Sequence, residues 1–222
     1  MSAPPEPLAA PAILARGPWP LECVAASWSE EQFEAPPAHV HAADAAIAAL
    51  RERGSPSHDG MAGRLLGYHQ HDGRIELELQ PLRWALRLVD GDASCSMAAL
   101  CVTRSADGHW LAGRRAPWLA SWAGRWALGA GGSVDLGENP AHTLVRELHE
   151  EWSVTPQRVQ AEALVALPHR LVMFVGQAWL PEGAEVTPDH EHDAFAWWPP
   201  AIDDWPPESG EGLRRMARWL SQ

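Results

Sequence analysis

The chain has 222 residues, and 17 basic against 29 acidic residues give it a formal net charge of -12. Every basic residue is Arg and none is Lys, which excludes lysine Schiff-base chemistry and a Lys-bearing phosphate loop. The negative field also excludes a general binder of nucleic acid polymers, while a composition 46% hydrophobic and 21% charged fits one large globular domain or a domain with an extension.

Residues 1–20 are rich in Pro and Ala and are expected to be poorly ordered. They lack the charged start and long apolar run of a signal peptide, and no segment approaches the ~20 apolar residues of a membrane helix. The expectation is therefore a cytoplasmic protein without membrane contact. From Ala42 to Arg53, strong helix formers run up to Gly54, a natural stop. Ser55–Gly60 is turn chemistry. Ile75, Leu77 and Leu79 alternate with Glu76 and Glu78, the period of a half-buried strand, and His71–Gly73 before it predicts a hairpin turn. Trp84–Val89 is the expected partner strand. Residues 21–92 thus read as a small N-terminal α+β unit, a helix with an antiparallel pair.

A second unit is expected over 93–222. Met97–Arg104 reads as a buried strand, Ser105–Trp110 as a turn and Trp110–Arg115 as a return strand. Trp126–Leu128 is short and apolar and runs into Gly129–Gly132. Asn139 and Pro140 open a helix as N-cap and first helical residue. Arg170–Leu180 is the strongest strand pattern in the chain, Phe195–Trp198 a shorter one, and Gly212–Leu220 a closing amphipathic helix. Strands interleaved with helices imply an α/β fold, a mixed sheet with helices on its faces. Cys23, Cys95 and Cys101 form no CxxC pair and read as free thiols. The 13 Trp are scattered, which favours packing over a dedicated stacking surface.

The helix after Pro140 carries the chemistry. Ala141, Leu144, Val145, Leu148 and Trp152 share one face, and Glu147, Glu150 and Glu151 share another at i, i+3 and i+4 spacing. Like charges so close, late in a helix, repel one another and oppose its dipole. Arg146 can balance one of them, and a hard divalent cation suits the rest. Such an ion bridges an acidic protein to a phosphate ester and polarises it. Gly131, Gly132 and Gly137 allow a tight turn and close backbone approach before the helix, and Glu138 stands at the end of that loop.

This spacing resembles the Nudix box, Gx5Ex7REUxEExGU, with U an aliphatic residue. Gly132 is followed by five residues and Glu138. Seven more lead to Arg146-Glu147-Leu148, then His149, Glu150-Glu151, Trp152, Ser153 and Val154. Ser153 departs from the pattern, standing where the family has Gly at a position that wants a left-handed backbone. The resemblance extends over Met97–Gln222. It implies a Nudix-like α/β/α sandwich and a pyrophosphohydrolase that uses Mg2+ or Mn2+ to cleave the diphosphate linkage of a nucleoside diphosphate derivative, such as ADP-ribose or a nucleotide sugar. It implies Glu147, Glu150 and Glu151 as metal ligands and catalytic groups, Arg146 as their orienting partner, and Glu138 as a further ligand. Glu191, six residues before Trp197, resembles the later-loop glutamate that acts as base or extra ligand, with Asp189 and Asp193 as fallbacks. Of the neighbouring His190 and His192, the simplest reading is a solvated polar loop. Gly131, Gly132, Arg114 and Arg125 are the expected substrate-binding residues, with Arg115 close by. A small-molecule nucleotide is the expected partner, and a homodimer fits the extra N-terminal unit. Two other classes remain open, an isopentenyl diphosphate isomerase-like enzyme using Cys95 or Cys101, and a non-catalytic nucleotide-sensing Nudix module.

Overall fold

The computed structural model describes residues 2, 5–6, 8–55 and 59–222. Strand β1 (Ala12–Pro20) is followed by β2 (Val24–Trp28), helix α1 (Pro37–Glu52) and the hairpin β3 (Met61–His71) and β4 (Arg74–Arg83). A 3-10 turn over Trp84–Leu88 leads to β5 (Met97–Arg104), β6 (Trp110–Arg115), β7 (Trp126–Leu128) and β8 (Ala130–Ser133). Helix α2 (Pro140–Trp152), β9 (Arg158–Leu167), β10 (Leu171–Trp179), β11 (His192–Trp198) and α3 (Gly210–Leu220) complete the order. No helix of the described residues is long and apolar enough to cross a membrane.

The large sheet has eight strands in the order β1-β9-β10-β5-β6-β11, with β7 paired to β6 and β8 to β5. It is mixed, because β10 runs parallel to β5 while β9, β6 and β11 pair antiparallel to their neighbours. Side-chain alternation on β5 builds a core on each face. Met97, Ala99 and Cys101 point to the core that takes Ala141, Leu144, Leu148 and Trp152 of α2. Leu100 and Val102 point to the core that takes Leu213, Ala217 and Leu220 of α3. Helices on opposite faces of one mixed sheet make the α/β/α sandwich that the sequence implies.

The N-terminal residues are built into this core. A second sheet, in the order β2-β4-β3, sends Leu65, Ile75, Leu77 and Leu79 into the cluster that also holds Leu144, Leu148 and Trp152. The Asp72-Gly73 turn of the hairpin has positive φ at both residues, 44° and 73°, which matches the twist of the strands it joins. Under α1, Ala43, Ile47 and Leu50 pack on Leu82, Ala85, Leu86 and Val89. The 3-10 turn is thereby clamped between α1 and the large sheet.

Several expectations need correction. From Ala12 on, the N-terminus is a strand, although Pro and Ala dominate its composition. β1 lies at the sheet edge, where prolines are tolerated, and Trp19 is buried against Phe174 at 6.5 Å between ring centroids. Trp84–Val89 is no partner strand, because β3 already fills that role. Ala85 and Leu86, buried in succession, suit a tight turn under α1. The N-terminal sheet is mixed, since β2 joins β4 in parallel. β2 and β9 are absent from the sequence expectations. The turn expected over residues 55–60 falls partly on residues 56–58, outside the described residues.

Ser153 ends α2 at φ 55° and ψ 33°, the left-handed conformation anticipated for the glycine position. A Cβ there costs about 1 kcal/mol. Ser153→Gly is expected to stabilise the protein by about that amount and raise Tm by about 2–4 °C in thermal melts. An unchanged or lower Tm would show that the turn is unstrained.

Candidate active site

Asn139 caps α2, its side chain accepting from the Ala141 amide at 3.0 Å, and Pro140 fills the first turn. The helix then presents the box glutamates at different depths. Glu147 and Glu151, one turn apart, are buried at 8% and 4% exposure, while Glu150 is exposed. The three carboxylates therefore form a ridge that descends from solvent into the protein.

Arg146 is the hub of this ridge. Its Nη1 lies 2.7 Å from Glu147 Oε1 and 2.9 Å from Glu150 Oε2. Its Nε and Nη2 donate to the two oxygens of Glu138 at 2.9 and 3.1 Å, and Nη2 also donates to the Ser133 carbonyl at 3.0 Å. Glu138 further accepts from Thr143 Oγ1 at 2.8 Å and the Asp135 amide at 3.2 Å. Both of its oxygens thus accept hydrogen bonds, and Glu138 aims Arg146. Burial alone would raise the Glu138 pKa, but Arg146, Thr143 and the Asp135 amide hold it below its usual value.

Glu151 is held differently. Its Oε1 accepts the Gly131 amide at 2.8 Å, and its buried Oε2 accepts no hydrogen bond. His192 Nε2 is 3.6 Å from that oxygen, and His192 Nδ1 is 3.4 Å from Asp189 Oδ1. The His192 ring is buried against Trp152, 4.4 Å between centroids, so it is not the solvated residue expected. Gly113 makes room for it, since a Cβ there would lie 2.2 Å from His192 Cδ2. Gly132 does the same for Glu147, where a Cβ would lie 2.3 Å from Oε1. The two loop glycines expected to meet substrate thus seat glutamates, Gly131 by its amide and Gly132 by its missing side chain.

The loop before β11 brings Glu191 to this ridge. Its charge acts on both Glu147 and Glu151, and its Oε2 is 3.7 Å from Arg115 Nη2. Of the fallbacks, Asp189 holds the loop, accepting the Glu191 amide at 2.9 Å, and Asp193 pairs with Arg114 at 2.6 Å. His190 is exposed and stacks on Trp118 at 5.3 Å. Arg114 is consumed by that surface pair and Arg125 is exposed, so neither expected substrate contact is gathered with the glutamates. Alternation along β6 turns Arg115 to the opposite side, toward Glu191. Arg87, from the 3-10 turn, is a cation that motif reading missed, and its charge acts on Glu147 and Glu191. No local signal distinguishes it from the other 16 arginines.

Electrostatics reflect the crowding. Burial pushes the Glu147 carboxyl up to about 7, with Glu150 and Glu191 adding to the rise and Arg146 opposing it. Burial also raises Glu151 well above the usual range, against the Gly131 amide and with Glu147 and Glu191. In metal-free protein, folding therefore retains protons that the unfolded chain releases near 4.5. The unfolded state binds fewer protons, so stability declines as pH rises from about 4.5 to about 7. Urea midpoints measured with chelator from pH 5 to 8 are expected to fall in wild type and to fall much less in Glu147→Gln/Glu151→Gln. Equal slopes would refute the assignment.

The family model described as NUDIX domain matches residues 96–220. No curated protein matches the chain. Among solved structures, the MutT protein from Methanosarcina mazei Go1 is similar at 21% identity and a TM-score of 0.44, covering 57% of this chain and 96% of its own. A C. elegans Ap4A hydrolase binary complex is similar at 19% and 0.44, covering 57% and 95%. The NUDIX domain of Shewanella oneidensis NrtR complexed with ADP ribose is similar at 18% and 0.42, covering 57% and 88%. Likeness at this level carries no argument about substrate or mechanism. The family match spans more than half of the chain and contains the whole Arg146-centred ridge, and on that ground the chain belongs to the Nudix family, within its class of pyrophosphohydrolases.

Proposed function

We propose that the protein hydrolyses the diphosphate linkage of a nucleoside diphosphate derivative in the presence of Mg2+ or Mn2+. The observation that carries this reading is Glu151 Oε2, a buried carboxylate oxygen without a hydrogen-bond partner, one helical turn from the equally sheltered Glu147. Burial makes the charged form of this carboxyl costly, with only the His192 ring nitrogen 3.6 Å from Oε2, and a hard cation is the partner that an oxygen-only donor set suits. Among the described residues, no three acidic, His or Cys side chains are already gathered as a ligand cluster, since Arg146 holds Glu147 and Glu150. The donor chemistry nevertheless fits, with Glu147, Glu150 and Glu151 as the residues that would hold the ion. When bound, the ion would supply Lewis-acid polarisation of the phosphoryl group and neutralise its charge.

The chain's own residues do the rest. Arg146, aimed by Glu138, keeps the glutamates in register and separates their charges. Gly131 and Gly132 hold Glu151 and Glu147 against the loop. Two carboxylates are candidates to take a proton from the attacking water, Glu147 and Glu191. Residues 93–222 are then the hydrolase domain, and residues 21–92 an accessory unit that shares its core. The isomerase alternative loses support. Cys95 and Cys101 are fully buried, and burial pushes the Cys101 thiol up to about 12. A thiol held protonated in this way does not suit a nucleophile at the Cys101 position.

An activity screen with Mg2+ and Mn2+ on ADP-ribose, dinucleotides, nucleotide sugars and noncanonical triphosphates tests the reading. Wild type is expected to release phosphate-bearing products from at least one of them only when metal is present. Glu138→Gln is expected to lower activity by about 10–100-fold, as loss of an orienting partner does, and Glu151→Gln to lower it further. Equal hydrolysis by wild type and Glu151→Gln would remove the site assignment. Binding without turnover would favour the nucleotide-sensing alternative.

A further inference from the structure

The geometry points to Arg87, supplied by the N-terminal unit, as a substrate-binding residue of the hydrolase site that grips the diphosphate of the substrate together with Arg115. This deepens the hydrolase reading and rests on it.

Arg87 lies outside the matched domain, which begins at residue 96. The 3-10 turn that carries it is fixed by Ala85 and Leu86, both buried beneath α1. From there its Nη1 donates to Ser133 Oγ, and its guanidinium is 5.7 Å from the centre of the Trp84 ring. Trp84 Nε1 donates to the same hydroxyl at 2.9 Å. The Ser133 carbonyl in turn accepts from Arg146 at 3.0 Å. Ser133 thus ties the N-terminal unit directly to the hub of the glutamate ridge. A salt-bridging guanidinium would explain itself, but among the described residues no carboxylate lies within 4.0 Å of Arg87. The charges acting on it are those of Arg115, which repels it, and of Glu147 and Glu191, which attract it. Arg115 donates its Nε to the Ser121 carbonyl at 3.2 Å, and its nearest carboxylate is Glu191, at a long 3.7 Å from Nη2.

Arg87 and Arg115 repel one another and neither is in close contact with a carboxylate, so an anion beside both would relieve the repulsion. A diphosphate suits that position. Its oxygens accept the paired N–H groups of Arg, and the two cations offset the repulsion that a chain of net charge -12 exerts on a phosphate ester. With no Lys in the chain, Arg must supply this charge, and Arg114 and Arg125 are directed elsewhere. The N-terminal unit therefore completes the substrate site and does not merely accompany it.

Methylenediphosphonate, a non-hydrolysable diphosphate, tests this by calorimetric titration of the full-length protein with Mg2+ present. Arg87→Gln is expected to bind it about 10- to 100-fold more weakly than wild type, the loss of one charge-assisted contact, and to raise KM for a hydrolysed nucleotide more than it lowers kcat. Arg87→Lys is expected to recover part of the affinity, because it keeps the charge and loses the fork. Thermal melts separate a structural role, since an arginine that only fastens the two units lowers Tm and leaves the affinity of folded protein unchanged. Wild-type affinity in Arg87→Gln and Arg87→Lys overturns the proposal. If Glu151→Gln abolishes turnover while both Arg87 variants behave as wild type, the hydrolase reading stands and Arg87 alone is removed from it. If wild type neither binds the diphosphonate nor turns over any nucleotide, both readings fall.

Discussion

One guanidinium organises the acidic site. Arg146 touches Glu138, Glu147, Glu150 and the Ser133 carbonyl, and so joins the loop, the helix and the sheet at a single charge. Without it, buried Glu147 would stand beside Glu150, Glu151 and Glu191 with no cation in direct contact to offset the repulsion. Burial would lower the pKa of this Arg, yet Glu138, Glu147 and Glu150 hold it above its ordinary value, so it keeps its charge at any physiological pH. The arrangement is strong in the metal-free protein and still leaves Glu151 unsatisfied. The deepest carboxylate is the one that Arg146 does not touch, and the proposed cation site rests on that asymmetry.

The second constraint is the shared core. Leu65, Ile75, Leu77 and Leu79 of the N-terminal sheet pack in the same cluster as the buried face of α2. Burying a large aliphatic side chain contributes about 1.5–3 kcal/mol. Four such residues bind the N-terminal unit to the helix that carries the box. The 3-10 turn is placed by a second cluster, in which Ala85 and Leu86 pack under α1, and from there Arg87 and Trp84 reach Ser133 of the large sheet. Fold and site are coupled through these two hydrophobic clusters.

Local rules were sufficient for much of this chain. The strands Met97–Arg104, Trp110–Arg115 and Trp126–Leu128 and the capped start of α2 agree with the sequence reading residue for residue. Their signals are short-range, a run of apolar residues bounded by turns or an Asn-Pro pair at a helix start. β1 was illegible because Pro and Ala composition spoke for disorder, while the order comes from pairing with β9 some 150 residues away. The Trp84–Leu88 turn was misread because its apolar residues suit either a strand or a tight turn, and only the prior claim of β3 on β4 decides between them.

The amino-acid sequence by itself determined the α/β class, the helix bearing Glu147, Glu150 and Glu151, the left-handed end at Ser153 and the membership implied by their spacing. These depend on residues within a few turns of one another. Tertiary structure alone decided that Glu150 is exposed while Glu151 is buried, that Glu138 serves Arg146, that His192 lies inside, and that Arg87 reaches Ser133 and Arg115 turns toward Glu191 while Arg114 pairs with Asp193. Those outcomes depend on which distant segments pack together, and neither charge nor spacing along the chain encodes that.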